Sequence, residues 1–588
     1  MRVARTITGA PRRLRDRSLF HTLSLIPFLA WVGLGADGLS SSAYGPDEAF
    51  RALGAEHRYL AIPLALAVAL TVALISACYM KIIAAFPAGG GGYVVATKLL
   101  GPRTGLVAAG ALVVDYVLTI SVSIAAGADA LFSLSPGLGE HKVAMSVVAI
   151  ALLAVLNIRG IKESIVVLTP IFLLFVVTHI AMIAGGVAGN IGHTQAVLAD
   201  AHAQAGHDLG AIGVFGVLVL LARAYSMGAG TFTGIEAISN GLPVLREPRV
   251  ENGKRTMVYM ACSLAFTAAG ILVCYLLVGA QPSPGKTLNA VLSEKVFGGL
   301  GSPSLARVLV GLTLASEGAL LLVAAQTGFI GGPRIMANMA SDNWLPRRFA
   351  ALSDRFTTQN GVFLISGAAV AFLIVTGGST HALVVMYSIN VFVTFTLSML
   401  GMARAAWQRR RMPSASWHRD FALHSTGSAV CAAILVVMLV EKLGHGGWLT
   451  ILVTGGFVGV CLLIRRHYDK VARMLHRLDK DLADIALTGL PTEEKFSPKK
   501  PTAVVLVGGF GGFGVHTMLT VQRTFPGFFK QFCFVSIAVV DTGTFKGADQ
   551  VEALGRKTEG ALQRYVDLAQ RLGFPATYET TVDNEAVE

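Results

Sequence analysis

The sequence has few charged residues. Asp, Glu, Lys and Arg make up 14% of its 588 residues, against about 25% in an ordinary soluble domain. Apolar residues other than Gly reach 53%, glycine adds a further 65 residues, and the mean hydropathy is +0.62. This composition excludes a soluble enzyme, a disordered chain and a collagen-like or coiled-coil fibre. Because the apolar excess fills most of the length, it also excludes a single membrane anchor on a soluble body.

The usual signatures of catalysis are also missing. The chain has no Walker A motif, and its C-terminal tail has no Ser-His-Asp set, Cys-His pair or metal cluster. The six cysteines lie in apolar segments without a CxxC pair, which indicates buried thiols rather than disulfides or a metal site. We therefore expect neither an enzyme nor a resident cofactor.

Apolar stretches long enough to cross a bilayer recur along the chain. We count about twelve, at 24–50, 59–86, 104–132, 142–158, 163–188, 209–240, 256–280, 305–330, 361–377, 380–402, 424–441 and 446–464. A basic N-terminal tail (1–23) precedes this membrane domain (24–466), and a helix and linker (467–500) and a small domain (501–588) follow it. The sequence predicts an all-α polytopic membrane protein with a small C-terminal α/β cytoplasmic domain.

The net charge of +13 arises mainly from loops between the spans. Loops after even-numbered spans carry eighteen Lys and Arg, and loops after odd-numbered spans carry seven. The positive-inside rule then places both termini in the cytoplasm of a multi-pass protein of the plasma (inner) membrane. We interpret the charge as a signal of topology in the lipid bilayer, and we expect no nucleic acid as a partner.

Two predicted spans are interrupted by small and polar residues. Span 1 contains GADGLSSSAYG at 35–45, and span 6 contains SMGAGTFTGIE at 226–236. Gly weakens a helix, and Ser and Thr offer its backbone competing hydrogen bonds. Spans 1 and 6 are equivalent members of two five-span halves, and such paired breaks point to the central site of a transporter. Close helix packing by small residues is the alternative.

Three carboxylates lie inside predicted spans: Asp37 in span 1, Asp115 in span 3 and Glu236 in span 6. An intramembrane carboxylate costs roughly 2.5–3.5 kcal/mol on insertion scales, so it is retained where it meets a cation, a proton or a partner. A structural pair with Arg223 is the alternative, but Arg223 can neutralise only one of the three acids. The remaining acids are candidates for binding ions or protons.

Span 3 carries a stripe of side-chain oxygens. Asp115, Thr119 and Ser123 are four residues apart, so they lie on one face of a helix. Hydroxyls alone more often form interhelical hydrogen bonds, but the carboxylate at the head of the stripe favours a hard cation. No cluster of Asn, Gln or aromatic residues suggests a large organic substrate.

Longer motifs resemble a known family. They are DGLSSSAYG at 37–45, FPAGGGGY at 86–93, VDYVLT at 114–119, TGIEAISN at 233–240 and MY at 386–387. On these motifs, residues of about 20–465 resemble the amino acid–polyamine–organocation (APC) superfamily, with its LeuT-type fold of 5+5 inverted repeats. Within that superfamily they resemble the KUP-like, KimA-type potassium–proton symporters.

The resemblance implies gradient-driven uptake of K+ with H+ by alternating access, through a site in spans 1, 3, 6 and 10. The residues that match the family's ion or substrate site are Asp37, Tyr44, Asp115, Tyr116, Thr119, Ser123, Thr233, Glu236 and Tyr387. K+ would be held by Asp37, Asp115, Thr119, Thr233 and Glu236, and Asp37 and Glu236 would face K+ or exchange protons. Glu317 in span 8 departs from the family pattern and has no assigned role.

A permease for an amino acid or polyamine is the alternative. Typical amino acid permeases of the superfamily bind the substrate carboxylate at free backbone amides of a break that carries no acid. Asp37 occupies this break and would repel a carboxylate, whereas it would attract K+, a proton or an amine. By charge alone, Na+ would fit the same residues as K+.

The tail reads as βαβαβ, with strands at 503–507, 532–540 and 576–582. Gly509, Gly511 and Gly514 fit the G-x-G-x-x-G pattern between a strand and a helix, and Asp541 ends the next strand. The domain is universal-stress-like or Rossmann-like, and we expect it to bind a regulatory adenine nucleotide, a cyclic dinucleotide being one candidate. A Gly-rich turn in an interaction domain is the alternative. Because its length is half of a doubly wound domain, we also expect a homodimer through this domain.

Overall fold

The computed structural model describes residues 25–89, 91–159, 164–353, 357–411, 417–483, 492, 494–540 and 548–583. The chain forms two compact units. The helical unit comprises Leu23–Ile335 and Gly361–Val458, and the C-terminal unit includes Met336–Asn360 and Gly459–Glu588.

Helices account for the first part of the chain. They are α1 (Pro27–Ser40), α2 (Gly45–Leu53), α3 (Ala61–Ala85), α4 (Gly92–Leu100), α5 (Pro102–Phe132), α6 (Lys142–Arg159), α7 (Ser164–Gly189), α8 (Thr194–Ala211), α9 (Gly213–Met227), α10 (Ala237–Asn240), α11 (Arg249–Leu277), α12 (Leu288–Gly298), α13 (Pro303–Ser341), α14 (Gln359–Val375), α15 (Thr380–Gln408), α16 (Trp417–Lys442) and α17 (Gly447–Ala483). Helices α13 and α17 continue from the helical unit into the C-terminal unit.

Ten segments of the described chain are long and apolar enough to cross a membrane. Two predicted spans fall outside this set. Span 1 is divided between α1 and α2, and span 9 is α14, which has 17 residues. All twelve predicted apolar segments are therefore helical, and the expectation of a polytopic all-α membrane protein is confirmed.

Both predicted breaks are present. Helix α1 ends at Ser40, a 3-10 turn covers Ser41–Ala43, and α2 begins at Gly45. Helix α9 ends at Met227 and is followed by a 3-10 turn over Gly228–Phe232. The chain then turns at Gly234, whose φ of +78° favours glycine, before the four-residue helix α10.

The helical unit has a central and a peripheral set of helices. In the most apolar stretch of α5, 94% is buried inside the protein, whereas only 17% of the corresponding stretch of α17 is buried. Small residues allow close packing at α5, because a Cβ at Gly328 of α13 would lie 2.8 Å from the Tyr116 carbonyl oxygen. Helix α5, which carries the predicted oxygen stripe, therefore lies at the centre of the unit.

The C-terminal unit contains β1 (Thr502–Leu506), α18 (Gly512–Thr524), β2 (Gln531–Val539), α19 (Ala548–Arg571) and β3 (Ala576–Asp583). The strands are parallel in the order β1-β2-β3, with Thr502 opposite Gln531 and Phe532 opposite Ala576. Phe532 and Phe534 are fully buried in the core with Tyr565 of α19. The predicted small α/β region is confirmed.

The structure corrects two expectations about single residues. Lys442, expected in an outer loop, is the last residue of α16; it is fully buried and donates a hydrogen bond to Ser388 Oγ at 2.5 Å. The helix continues to this residue and packs along α15, so the chain does not leave the protein interior before the lysine. All six cysteines are free thiols, but Cys262 is exposed rather than buried, because it lies on an outward face of α11.

Candidate functional site

The two breaks touch each other inside the helical unit. The Ser41 hydroxyl lies 2.7 Å from the carbonyl oxygen of Thr231. A Cβ added to Gly234 would lie 2.5 Å from the backbone nitrogen of Gly38 and 2.8 Å from the carboxyl carbon of Asp37. Only glycine fits this approach, so the breaks form one common wall around Asp37.

Tyr44 and Thr233 connect the same two breaks through their side chains. The phenol oxygen of Tyr44 lies 3.3 Å from Thr233 Oγ1, and Thr233 Oγ1 in turn lies 2.8 Å from the carbonyl oxygen of Gly230. Both side chains are buried. Two of the predicted site residues are therefore brought together, with hydroxyl and carbonyl oxygens side by side.

The stripe of side-chain oxygens on α5 contacts α15. Thr119 Oγ1 donates a hydrogen bond to the phenol oxygen of Tyr387 at 2.9 Å. Asp115 is 4% exposed, and its Oδ1 has no hydrogen-bond partner. Ser123 is buried one turn beyond Thr119. The structure thus joins Thr119 to Tyr387 and leaves an unsatisfied carboxyl oxygen at the head of the stripe.

Glu236 lies just before α10 and is 3% exposed. Its Oε2 accepts a hydrogen bond from the Tyr79 phenol at 3.4 Å, and its Oε1 has no hydrogen-bond partner. The Tyr116 phenol oxygen accepts a hydrogen bond from Asn240 Nδ2 at 2.8 Å. The sequence did not indicate Tyr79 or Asn240, although Asn240 closes the TGIEAISN motif and could have been included on that signal.

The three acids lie close enough to one another for their charges to interact. Asp115 interacts electrostatically with both Glu236 and Asp37. Arg223 is not their partner, because its side chain is 53% exposed on α9 and pairs with Glu441 at 3.7 Å. Among the described residues, no ion pair includes any of the three acids.

The arrangement differs from a chelating metal centre. No three His, Cys, Asp or Glu side chains of the described part of the chain are placed to hold one metal ion. The oxygens near the acids instead come from hydroxyl groups and from backbone carbonyls at the breaks. Hard monovalent cations are bound by such mixed sets of oxygens. Arg334, which lies between predicted spans 8 and 9, belongs instead to α13 and brings a basic side chain near Tyr116.

The glycine-rich turn of the tail contacts Tyr565. The Gly511 amide donates a hydrogen bond to the Tyr565 phenol oxygen at 3.0 Å, and this phenol lies 2.8 Å from the Gly509 carbonyl oxygen. A Cβ at Gly514 would lie 2.1 Å from the same phenol oxygen. The adjoining pocket is too narrow to enclose even a water-sized molecule, whereas small-ligand sites have roughly 300 Å³ or more. Asp541 lies outside the described residues, and nucleotide binding stays a prediction.

The chain is similar to several known proteins. The potassium transporter KimA of Bacillus subtilis (strain 168) is 32% identical over 456 residues, which cover 77% of this chain and 72% of that protein. A manganese transporter of Eremococcus coleocola, solved with an aromatic bis-isothiourea-substituted compound, is 14% identical, with 79% of this chain and 99% of that chain covered and a TM-score of 0.40. A Na+-coupled sialic acid symporter is also 14% identical, covers 73% of this chain and 92% of its own, and has a TM-score of 0.40.

The family assignment depends on the sequence matches, because both TM-scores lie below 0.5. The model of the amino acid permease family matches residues 40–462, which include both breaks, helix α5 and helix α15. This match covers more than half of the chain. The paired breaks, the buried acids and the matched range lead to one conclusion: the chain belongs to the amino acid permease family and is a multi-pass secondary transporter.

Proposed function

We propose that this protein carries K+ into the cell together with H+ by alternating access. The observation that carries the proposal is the set of three buried carboxylates, Asp37, Asp115 and Glu236, which have no described ion-pair partner. A buried unpaired carboxylate is strongly unfavourable in a membrane. Cations or protons that bind there would remove this cost, and a site that fills and empties in this way suits transport.

The choice of K+ is supported by the relative and by the donor set. The Bacillus subtilis relative is a potassium transporter. Two hydroxyl pairs, Tyr44–Thr233 and Thr119–Tyr387, supply neutral oxygens from the breaks and from helices α5 and α15. A weakly hydrated monovalent cation needs several such oxygens to replace its water shell.

A proton is proposed as the coupling ion because one K+ cannot neutralise three carboxylates. Asp115 Oδ1 and Glu236 Oε1 have no hydrogen-bond partner, so each can accept a proton without breaking an existing contact. Like charges in a shared buried site favour binding of a proton by at least one of them. Proton release and K+ release would then follow the same conformational change.

The orientation and location are proposed from the loops. Eighteen basic residues follow even-numbered spans and seven follow odd-numbered ones. We infer that both termini and the C-terminal unit lie in the cytoplasm, and that the membrane is the plasma (inner) membrane. Cysteine labelling of intact cells at single sites in the loops tests this topology.

An amino acid or polyamine is the second candidate substrate. The name of the family favours it, and the breaks offer backbone groups that could bind a carboxylate or an amine. Asp37 at the first break argues against a substrate carboxylate. Uptake assays with labelled amino acids and polyamines separate the two candidates.

The tail is proposed as a dimerisation element that also responds to an adenine nucleotide. The outward face of β1 exposes Val504 by 63% and Leu506 by 79%, so a second copy would cover an apolar sheet face. Light scattering on the full-length protein in detergent tests the dimer. The variant L506D, which adds a charge to this face, should shift it towards the monomer.

Rescue of a bacterium that lacks its own K+ uptake systems tests the proposed function. Cells with the wild-type protein should grow at micromolar K+, whereas cells with the variant D37N, present at equal level in the membrane, should not. Absence of rescue by a well-expressed protein, together with amino acid uptake in membrane vesicles, would replace K+ with an amino acid as the substrate.

A further inference from the structure

His179 of α7 and Glu317 of α13 form a buried pair in the helical unit, apart from the three acids of the candidate site. Their side chains are 0% and 1% exposed, and His179 Nε2 lies 3.6 Å from Glu317 Oε2. Among the described residues, this histidine is the ion-pair partner of Glu317. Glu317 is also the acid for which the sequence offered no role.

The hydrogen bonds of His179 assign its ring nitrogens. Nδ1 lies 3.0 Å from the carbonyl oxygen of Phe175, one turn earlier on α7, and the imidazole stacks on the Phe175 ring at 3.7 Å. Because a carbonyl oxygen only accepts hydrogen bonds, Nδ1 carries a hydrogen. In a neutral imidazole, Nε2 is then an acceptor with a bare lone pair.

That lone pair faces the carboxyl group of Glu317. An ionised carboxylate is also only an acceptor. Nε2 has no hydrogen-bond partner. Without a further hydrogen, Nε2 and the Glu317 carboxylate are therefore two buried acceptors that cannot hydrogen-bond to each other. Apart from the Asn289 amide, which lies 3.3 Å from Glu317 Oε2, the surroundings are largely apolar. A cluster of α1, α7 and α13 lies beside the pair, with Val32, Ala36, Leu39, Phe172, Phe175, Leu320 and Val323.

One proton resolves this conflict. On Nε2 it makes an imidazolium beside a carboxylate, and on Glu317 it makes a carboxylic acid that can donate to Nε2. In both forms the pair is neutral, whereas loss of the proton leaves a buried unpaired negative charge. We propose that the His179–Glu317 pair binds one proton and is a second protonation site of the transporter, coupled to the first break through Asn289.

Asn289 of α12 supplies the physical connection. Its Nδ2 lies 3.3 Å from Glu317 Oε2 and 3.4 Å from the carbonyl oxygen of Ala43, which belongs to the 3-10 turn of the first break. An ionised carboxylate attracts this amide more strongly than a carboxylic acid does. Gain or loss of the proton therefore changes the strength of the Asn289–Glu317 hydrogen bond, and with it how strongly Asn289 bridges Glu317 and the first break.

A second contact ties α12 to the same broken span. The Leu288 amide donates a hydrogen bond to Asp47 Oδ2 at 2.9 Å. Helix α12 thus contacts the 3-10 turn at Ala43 and helix α2 at Asp47. If the broken span moves during transport, as repeats of this kind do, α12 must follow it or release it. The charge of Glu317 acts directly on that connection.

Other polar and titratable groups near the pair have partners that do not depend on an added proton. On α11, the Tyr275 phenol donates to Asn289 Oδ1 at 2.5 Å, and the Cys274 thiol points to the Ile183 carbonyl oxygen at 3.5 Å. On α2, Asp47 forms an ion pair with Arg51. On α7 and α13, the neutral hydroxyls of Thr178 and Ser316 lie 3.2 Å apart. Among these described groups, the contact between His179 Nε2 and Glu317 Oε2 is therefore the one that needs a bound proton.

Thermal unfolding of the full-length protein in detergent, between pH 6.5 and 9, tests the proton site without any transport. In the unfolded chain Glu is ionised and His is neutral above about pH 6.5. If, as proposed, the folded pair holds a proton that the unfolded pair lacks, stability falls as the pH rises. The glutamine side chain in E317Q can donate an amide hydrogen to Nε2 at every pH. We therefore expect the unfolding midpoint of E317Q to fall with rising pH less steeply than that of the wild type, by roughly 1 °C per pH unit.

Two further variants keep this test decisive. The double variant H179L/E317M replaces the pair with apolar side chains, a change that buried ion pairs often tolerate, and should also flatten the pH dependence. D129N is the control, because Asp129 pairs with Lys142 at 2.6 Å and needs no extra proton. Equal slopes for the wild type, E317Q and H179L/E317M would overturn the proton site.

The coupling part deepens the proposed function and depends on it. In proteoliposomes, E317Q should retain uptake of Rb+ down a cation gradient but lose the stimulation by an inward pH gradient at least tenfold. Unchanged stimulation in E317Q would overturn the coupling. If the wild type moves no Rb+ or K+ at all, the proposed function fails, and the unfolding slopes still decide whether the pair binds a proton.

Discussion

The phenol oxygen of Tyr44 lies 3.3 Å from the hydroxyl oxygen of Thr233, and this contact connects the two interrupted spans. Asp37 belongs to the same wall, because its carboxyl carbon would lie 2.8 Å from a Cβ added to Gly234, the residue after Thr233. The spans can separate only if this contact breaks. A cation that binds between the two oxygens would hold the breaks together.

The variant Y44F tests this contact. Loss of the phenol oxygen should lower the apparent affinity for K+ about 5- to 10-fold, which corresponds to about 1–1.4 kcal/mol and is typical of one hydrogen bond. Rb+ uptake at a series of external concentrations measures the change. Y225F is the matched control, since Tyr225 donates a partly buried hydrogen bond to Thr71; equal affinities in both variants would exclude Tyr44 as a ligand.

The three carboxylates should be individually necessary. D37N, D115N and E236Q keep the shape of each side chain but remove the charge that compensates a desolvated cation. We expect uptake to fall at least tenfold in each, because interactions with a buried charge are worth about 1.5–3 kcal/mol. D129N, which alters an acid paired with Lys142, should retain uptake. Wild-type rates and pH dependence in the three site variants would show that these acids are structural.

Gly234 should tolerate no side chain. In G234A, the new methyl group would lie 2.5 Å from the backbone nitrogen of Gly38, at a φ of +78° that disfavours other residues. The breaks would be forced apart, at an expected cost of about 2–4 kcal/mol from overpacking and backbone strain. G367A is the control, since no atom lies within 4 Å of its Cβ position. Transport and a thermal midpoint in G234A equal to those in G367A would contradict the close approach.

Much of this architecture could be predicted because its signals are local. The breaks follow from glycines and hydroxyl residues within short segments, and the apolar lengths of the spans follow from the bilayer thickness. The tail was predicted from its alternation of apolar strands and amphipathic helices. These features depend on neighbours along the chain, so one sequence is sufficient.

Contacts between distant helices could not be predicted in the same way. Tyr79 and Glu236 are 157 positions apart and meet only because α3 and the second break face each other. The sequence singled out Glu317 but not His179, and it placed Lys442 in a loop. Such pairs depend on the rotation and tilt of each helix, which are set by packing rather than by local propensity.

Two glycines in the glycine-rich turn of the tail should respond differently to substitution by alanine. G514A would bring a methyl group to 2.1 Å from the Tyr565 phenol oxygen, whereas the Cβ position of Gly509 has no atom within 4 Å. We expect G514A to destabilise the tail by about 1–3 kcal/mol and G509A to leave it folded. Hydrogen exchange of the full-length protein, measured over β1 and α18, reports this difference.

The same variants test the proposed regulatory nucleotide. If the turn binds phosphate groups through its backbone amides, ATP, NAD or cyclic di-AMP should raise the unfolding midpoint of the wild type, and G509A should weaken this shift. No shift with any of the three nucleotides in a folded dimeric protein would leave the turn as a packing element beneath Tyr565.

The most direct measurement of the central claim is ion flux through the purified protein in proteoliposomes. With K+ outside and an inward H+ gradient, we predict K+ entry accompanied by H+ entry, abolished in D37N and unaffected by an excess of amino acids or polyamines. Uptake of an amino acid or polyamine without any K+ flux, or K+ flux of wild-type size in D37N, would contradict it.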